Sequence, residues 1–217
     1  MSIPTWEEAA ADEFWSRVPQ DLHEDGVRDY LGFYGDAVES RASGLRTAAE
    51  NLLAQKFFGP SIVVSVIALE VMIQYFCVRP IIGGALSSSL LAEEVAEQMF
   101  GARAYDQRKL LTALLKPWGV DLSQVLLEDG KALWDTYQNI VLKKRNAFVH
   151  RGDEVSENEA VLALGCCSAF KSGVVLKIAD RLGFTIQRTG CWGRVEHGPQ
   201  GASLGGGSYY SAGDPFK

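Results

Sequence analysis

The chemistry-bearing residues of this chain concentrate in one stretch, KKRNAFVHRGD, from Lys143 to Asp153. The chain is acidic overall, with a formal net charge of −6 and three histidines, yet Lys143, Lys144, Arg145 and Arg151 gather around one of them, His150. An imidazole titrates near neutrality and can take a proton from a hydroxyl. A guanidinium can fork onto a phosphate and stabilise charge building on its oxygens. Those two groups suit phosphoryl chemistry on an anionic substrate. The competing reading is a solvated cationic helix end, since each cation near a helix C-terminus gains about 0.3–1 kcal/mol from the dipole.

The element that must position these groups is a long helix predicted from Lys131 to about His150, with Gly152 placed to end it as a C′ residue. On its wheel Leu133, Tyr137, Ile140, Val141 and Phe148 form one apolar face. Leu142 and Val149 form a second, with Arg145 between the two. Two apolar faces need two neighbours: the chain's own core, and either another helix or a second subunit. Arg145 and His150 are five positions apart, so about 140° around the axis and about 7.5 Å along it. An unbroken helix does not aim them at one atom. Either the last turn unwinds at Gly152 and swings His150 back, or a two-fold partner brings a second Arg–His set opposite the first.

Helical signals dominate the rest of the chain. Thr5 to Glu8 fits a capping box opening a helix to about Val18, and Ser156 to Glu159 fits a second that opens the last helix, ending at Leu182-Gly183. Pro19, Gly26, Gly32 and Gly35 predict short or broken helix over residues 19–35. Helices are expected from Asp36 to about Phe58, Ser61 to Val78, Ser89 to Phe100 and Asp106 to Lys116. Breaks are expected at Arg79 to Gly84, at Pro117-Trp118-Gly119 and at Glu128-Asp129-Gly130. Only Phe184 to Arg188 reads as extended. The segment from Gly190 onward holds 8 glycines in 28 residues and predicts a flexible tail. The expected class is all-α, with an N-terminal helical extension (1–35), a helical domain (36–183) and a Gly-rich tail (184–217).

With 217 residues and 47% hydrophobic content, the chain can bury one sizeable core. The acidic balance excludes a protein coated in phosphate-binding surface, so any nucleic-acid contact is a local patch. Cys77, Cys166, Cys167 and Cys191 form no C-x-x-C pair and read as reduced thiols of a cytoplasmic protein. The N-terminal residues carry no signal-peptide pattern. Residues 57–78 are long and apolar enough to span a membrane. Glu70 past their middle would cost about 2.5–3.5 kcal/mol there, which favours a buried core helix and no membrane.

Arg145-Asn146, three residues, then His150 resembles the R-N-x-x-x-H motif of the HEPN superfamily, and the setting is similar: a long helix, a short turn, a closing helix. Ile67-Ala68-Leu69-Glu70 in an earlier buried helix also resembles that family's pattern, and the likeness covers about residues 36–183. The resemblance implies an antiparallel helical bundle, usually a homodimer with the motifs facing across a cleft, and a metal-independent endoribonuclease without a cofactor. His150 would then take the proton of a ribose 2′-OH and Arg145 would hold the scissile phosphate. Asn146 would position the phosphate or fix the His150 tautomer, and Lys143, Lys144 and Arg151 would grip the RNA backbone. A role in toxin–antitoxin or antiviral defence, with an antitoxin or activating protein as partner, is implied by analogy.

Glu70 and Gln74 lie four apart on one face of an apolar helix, so Glu70 needs a partner. Arg145 or Lys144 would serve, either orienting the site from behind or forming a purely structural ion pair. Gly201 to Gly205 satisfies G-x-S-x-G, but in a glycine-rich tail rather than between a strand and a helix. Cys191 and His197 lack two further zinc ligands of suitable spacing. Two other functions fit the same residues. One is a non-catalytic module binding a nucleotide, RNA or protein; the other is a helical adaptor whose tail recruits a partner.

Overall fold

The computed structural model describes residues 24–85, 111–186 and 192–194. Helix α1, Glu24–Ala54, runs unbroken for 31 residues through Gly26, Gly32 and Gly35, where short or broken helix was expected. Each interior glycine costs about 1 kcal/mol. Val27, Tyr30, Leu31, Val38, Ala42 and Ala49 recur at helical spacing and are buried, and a fully buried large apolar side chain recovers about 1.5–3 kcal/mol. Burial wins, and residues 24–35 pack as part of the helical body. The chain leaves α1 through Lys56, which adopts a positive φ of 65°.

Helix α2 begins at Phe58–Met72, widens into a π-helical segment at Ile73–Val78 and continues as Arg79–Ala85. Pro60 sits in its first turn, where the missing N–H is not needed. The break expected at Arg79 to Gly84 does not occur at Pro80. A proline inside a helix lacks its N–H and collides with the carbonyl four residues back. The wider π turn immediately before Pro80 relieves that collision. Ser61 Oγ donates to the Ala49 carbonyl at 2.9 Å, tying α2 to α1.

Residues 111–115 are helical and lead into a 3₁₀ turn at Lys116–Trp118, closed by Gly119 at φ 69°. A second 3₁₀ turn, Leu122–Gln124, starts at Asp121, whose carboxylate accepts from Ser123 N at 2.9 Å. Gly130, at φ 80°, turns the chain between Leu126 and Ala132, which pair as an isolated bridge.

Helix α3 comprises Leu133–Thr136, a π-helical segment Tyr137–Val141 and Leu142–Arg151. Helix α4 comprises Glu157–Phe170, a π-helical segment Lys171–Val175 and Leu176–Arg181. Short links make α1–α2 and α3–α4 two helical hairpins, and α2 packs against both α3 and α4. The core between them is led by Phe76, Phe170, Ile62, Leu69, Leu133 and Ile178. Polar contacts also join these helices: Cys167 Sγ donates to the Ser65 carbonyl at 3.0 Å. The buried Glu39 of α1 pairs with Lys171 of α4 and accepts from Ser43 Oγ at 2.6 Å.

After α4, strand β1 (Phe184–Ile186) pairs antiparallel with strand β2 (Trp192–Arg194), Phe184 opposite Arg194. The architecture is all-α apart from this short pair. Strand β1 occupies part of the expected extended stretch. Strand β2 lies inside the segment expected to be flexible, a departure produced by backbone pairing with β1. The expected helices at Thr5 to Val18 and Ser89 to Phe100, the first part of Asp106 to Lys116, and Cys191, His197 and Gly201 to Gly205 lie outside the described residues. By length and composition alone, Phe58–Ile82 and Glu157–Arg181 could each cross a membrane. In the first, 67% of the apolar window is buried inside the protein, as a core helix requires.

Candidate functional site on helix α3

The C-terminal half of α3 is regular helix through Arg151, and Gly152 ends it in the left-handed conformation, φ 72° and ψ 22°. Its N–H bonds the Phe148 carbonyl at 2.9 Å. Unwinding of the last turn to swing His150 toward Arg145 is therefore excluded. Within one chain the two residues keep their helical offset of about 140° and about 7.5 Å.

What the helix does bring together is Lys143, Asn146 and His150, all exposed and on one face by their spacing of three and four. Arg145, half-buried and about 100° around the helix from Asn146, reaches that face through its neighbour: Nη1 donates to Asn146 Oδ1 at 2.9 Å. With Oδ1 so engaged, the Asn146 amide is oriented, and its NH₂ end remains to donate. Lys143 Nζ donates to Asn139 Oδ1 at 3.4 Å.

The other two cations are committed within the chain. Lys144 Nζ pairs with Glu159 Oε1 at 3.1 Å. The capping box at the start of α4 is formed as its sequence predicts, and the same Glu159 closes it: Oε2 accepts from Ser156 N at 2.8 Å. Burial alone would raise the Glu159 carboxyl, but the Ser156 hydrogen bonds and Lys144 outweigh it and hold the group below its ordinary value. Arg151 forks onto Asp153, with Nη2 to Oδ2 at 2.8 Å and Nε to Oδ1 at 3.4 Å. Among the described residues, the motif thus presents Lys143 and Arg145 as charges without a paired carboxylate, rather than four such cations.

Behind the helix stands Glu70 of α2. Burial pushes its carboxyl above the usual range, and the positive charge of Arg145 pulls it partly back. Of the two partners expected for Glu70, Arg145 is the one that acts on it, because Lys144 is turned to α4. Tyr137, buried on α3, belongs to the same group. Burial first, and then the charge of Glu70, raise its phenol, while Arg145 opposes them.

Sequence reasoning assigned Tyr137 to the apolar face and missed this polar role. The signal available was its distance of eight residues, about two turns, before Arg145. The intervening π-helical segment turns less per residue than an α-helix, so it alters the phase between the two. The same slip accounts for Ile140, expected on the buried face but 41% exposed. On the second apolar face Leu142 packs against the core, while Val149 is 49% exposed.

Among the described residues, no group of three or more metal-ligating side chains converges. Comparison of the chain with family models, curated proteins and solved structures gives no match.

Proposed function

We propose that the protein is a metal-independent endoribonuclease of HEPN-like type, acting as a homodimer through the Arg145–Asn146–His150 face of α3. The observation that carries this reading is the oriented polar face itself. Arg145 fixes Asn146, and His150 lies one turn further along, exposed to a substrate. In the reaction His150 takes the proton from the ribose 2′-OH and the 2′-oxygen attacks phosphorus. The bond from phosphorus to the 5′-oxygen then breaks, and that oxygen leaves with the proton returned by His150. The products are a 2′,3′-cyclic phosphate and a 5′-hydroxyl. Arg145 and the Asn146 amide carry the negative charge of the transition state.

Because one helix does not converge Arg145 on His150, a second subunit supplies the other half of the cleft. The exposed Val149 beside the motif supports a surface that a partner covers. A toxin or anti-phage role, with an antitoxin or activating partner and a cytoplasmic setting, remains part of the proposal by analogy.

A second reading is favoured by one observation: Lys144 and Arg151 are neutralised internally, which weakens the grip on an RNA backbone. A non-catalytic module that binds a nucleotide, RNA or protein needs less of that grip.

The deciding test incubates mixed cellular RNA with the protein in EDTA. Wild type should leave ends carrying 2′,3′-cyclic phosphate, and His150→Ala and Arg145→Ala should each lose at least about 100-fold in rate while remaining folded. Persistent cleavage in both variants refutes the site. Absence of cleavage by a folded, dimeric wild type shifts the assignment to the binding module.

A further inference from the structure

Several carboxylates at turns and helix ends hold the backbone in place. Asp121 accepts from Ser123 N at 2.9 Å, and Asp129 accepts from Lys131 N at 3.1 Å. Glu159 accepts from Ser156 N at 2.8 Å and closes its capping box. Asp153 does none of this. Among the described residues, its carboxylate takes hydrogen bonds from Arg151 alone, Nη2 to Oδ2 at 2.8 Å and Nε to Oδ1 at 3.4 Å.

Its place at the end of α3 makes the acid harder to explain by stability. A cation in the last helical turn gains from the dipole without any partner, and a negative charge there loses. The turn itself is made by the main chain. Gly152 reverses direction at φ 72°, and the N–H groups of Gly152 and Asp153 bond the Phe148 and Ala147 carbonyls at 2.9 and 3.4 Å. Neither bond needs a carboxylate. The side chains of the pair stand open to solvent, Arg151 at 68% and Asp153 at 42%. The Lys144–Glu159 pair is more buried and joins α3 to α4, so it serves the fold.

We propose that Asp153 is a built-in competitor for an RNA phosphate: its carboxylate occupies the Arg151 fork that receives a backbone phosphate, and RNA displaces it on binding. This rests on the reading above that the motif receives RNA. A planar guanidinium binds carboxylate and phosphate through the same parallel N–H donors, so the two anions exclude each other on one fork. Arg151 follows His150 directly and lies about 100° around α3 from it. The phosphate it takes is therefore a neighbour of the scissile one. An exposed ion pair favours contact over separation by only about 1.4–5-fold. A polyanion held at several points overcomes that preference, so Asp153 sets how tightly RNA binds and does not block it.

The experiment titrates the full chain into a fluorescein-labelled single-stranded 2′-O-methyl RNA, which has no 2′-hydroxyl to attack. Anisotropy is read in EDTA at about 50 and about 200 mM salt. Asp153→Asn keeps the main-chain bonds and loses the charge. It should bind about 3–5-fold more tightly than wild type at the lower salt. Its slope of log K against log salt should be steeper by about 0.7, the increment for one further phosphate contact on a single strand. The gain should vanish in an Arg151→Ala background. Asp129→Asn removes a charge from another exposed pair, Asp129–Lys131, and should bind as wild type does.

A gain as large in Asp129→Asn shows an effect of net charge and overturns the competition. So does a gain that survives Arg151→Ala, equal binding by wild type and Asp153→Asn, or no binding by any of the proteins. Wild type that cleaves RNA without a gain in Asp153→Asn loses this inference alone. The full pattern in a protein that cleaves nothing removes the ribonuclease reading alone.

Discussion

The helix that carries the candidate site meets α2 at a close approach of Phe148 to Gly59. A Cβ built on Gly59 would stand 2.3 Å from Cε2, 2.4 Å from Cζ and 2.8 Å from Cδ2 of the Phe148 ring. Carbon atoms at rest stand about 3.5–4.0 Å apart, so Gly59→Ala must push the ring by about an ångström or more. Overpacking of this kind costs about 1–3 kcal/mol. Alanine returns at most about 1 kcal/mol over glycine in a helix interior, and less in a first turn. The net loss for Gly59→Ala is therefore about 1–2 kcal/mol. Phe148 is only half-buried, so Phe148→Ala should cost about 2 kcal/mol, roughly half the loss at a fully buried site. Were the two independent, the double variant would lose about 3–4 kcal/mol. Removing the ring removes the clash, so the double variant should lose only about 2 kcal/mol, a coupling of about 1–2 kcal/mol. Urea unfolding followed by far-UV circular dichroism on all four proteins measures it as differences in unfolding free energy. Additivity to within about 0.5 kcal/mol would refute the proposed seating of α3 on α2.

Two further perturbations probe the ends of the same hairpin. Gly152 holds φ 72° at the end of α3, so Gly152→Ala should cost about 1–2 kcal/mol and lower Tm by about 3–6 °C, with Gly152→Asn closer to wild type. An unchanged Tm for the alanine variant would contradict the left-handed cap. Burial would raise the Glu159 carboxyl, but Ser156 and Lys144 hold it below its ordinary value. The stability that its ionised form adds is thus present above pH 4.5 and lost as pH falls through the lowered value. Wild type should exceed Glu159→Gln in Tm at pH 7, with the gap closing below pH 4.5. A gap that stays constant between pH 7 and 3 would show that the carboxylate charge is not what closes the cap.

What the sequence determined by itself is the chemistry of ends. Ser156 and Glu159 form their box and Gly152 closes α3 because each needs only residues within one turn to satisfy orphan backbone groups. Gly119 and Gly130 mark their turns for the same local reason. The all-α class was likewise legible, because apolar residues repeat with the helical period along most of the described chain. The tertiary structure decided the rest. Gly26 to Gly35 read as a break because their cost is local, while the burial of Val27 and Leu31 that offsets it comes from residues far along the chain. Pro80 read as a terminator because an α-helical register was assumed, and a π-helical segment supplies another. The same change of register on α3 exposed Ile140 and set Tyr137 in the polar group of Arg145 and Glu70. Four cations around one histidine were visible in the sequence, but which of them find carboxylates was not. That depends on helix phase and on the approach of α4, which bring Glu159 to Lys144 and leave Arg145 facing Glu70 without pairing it.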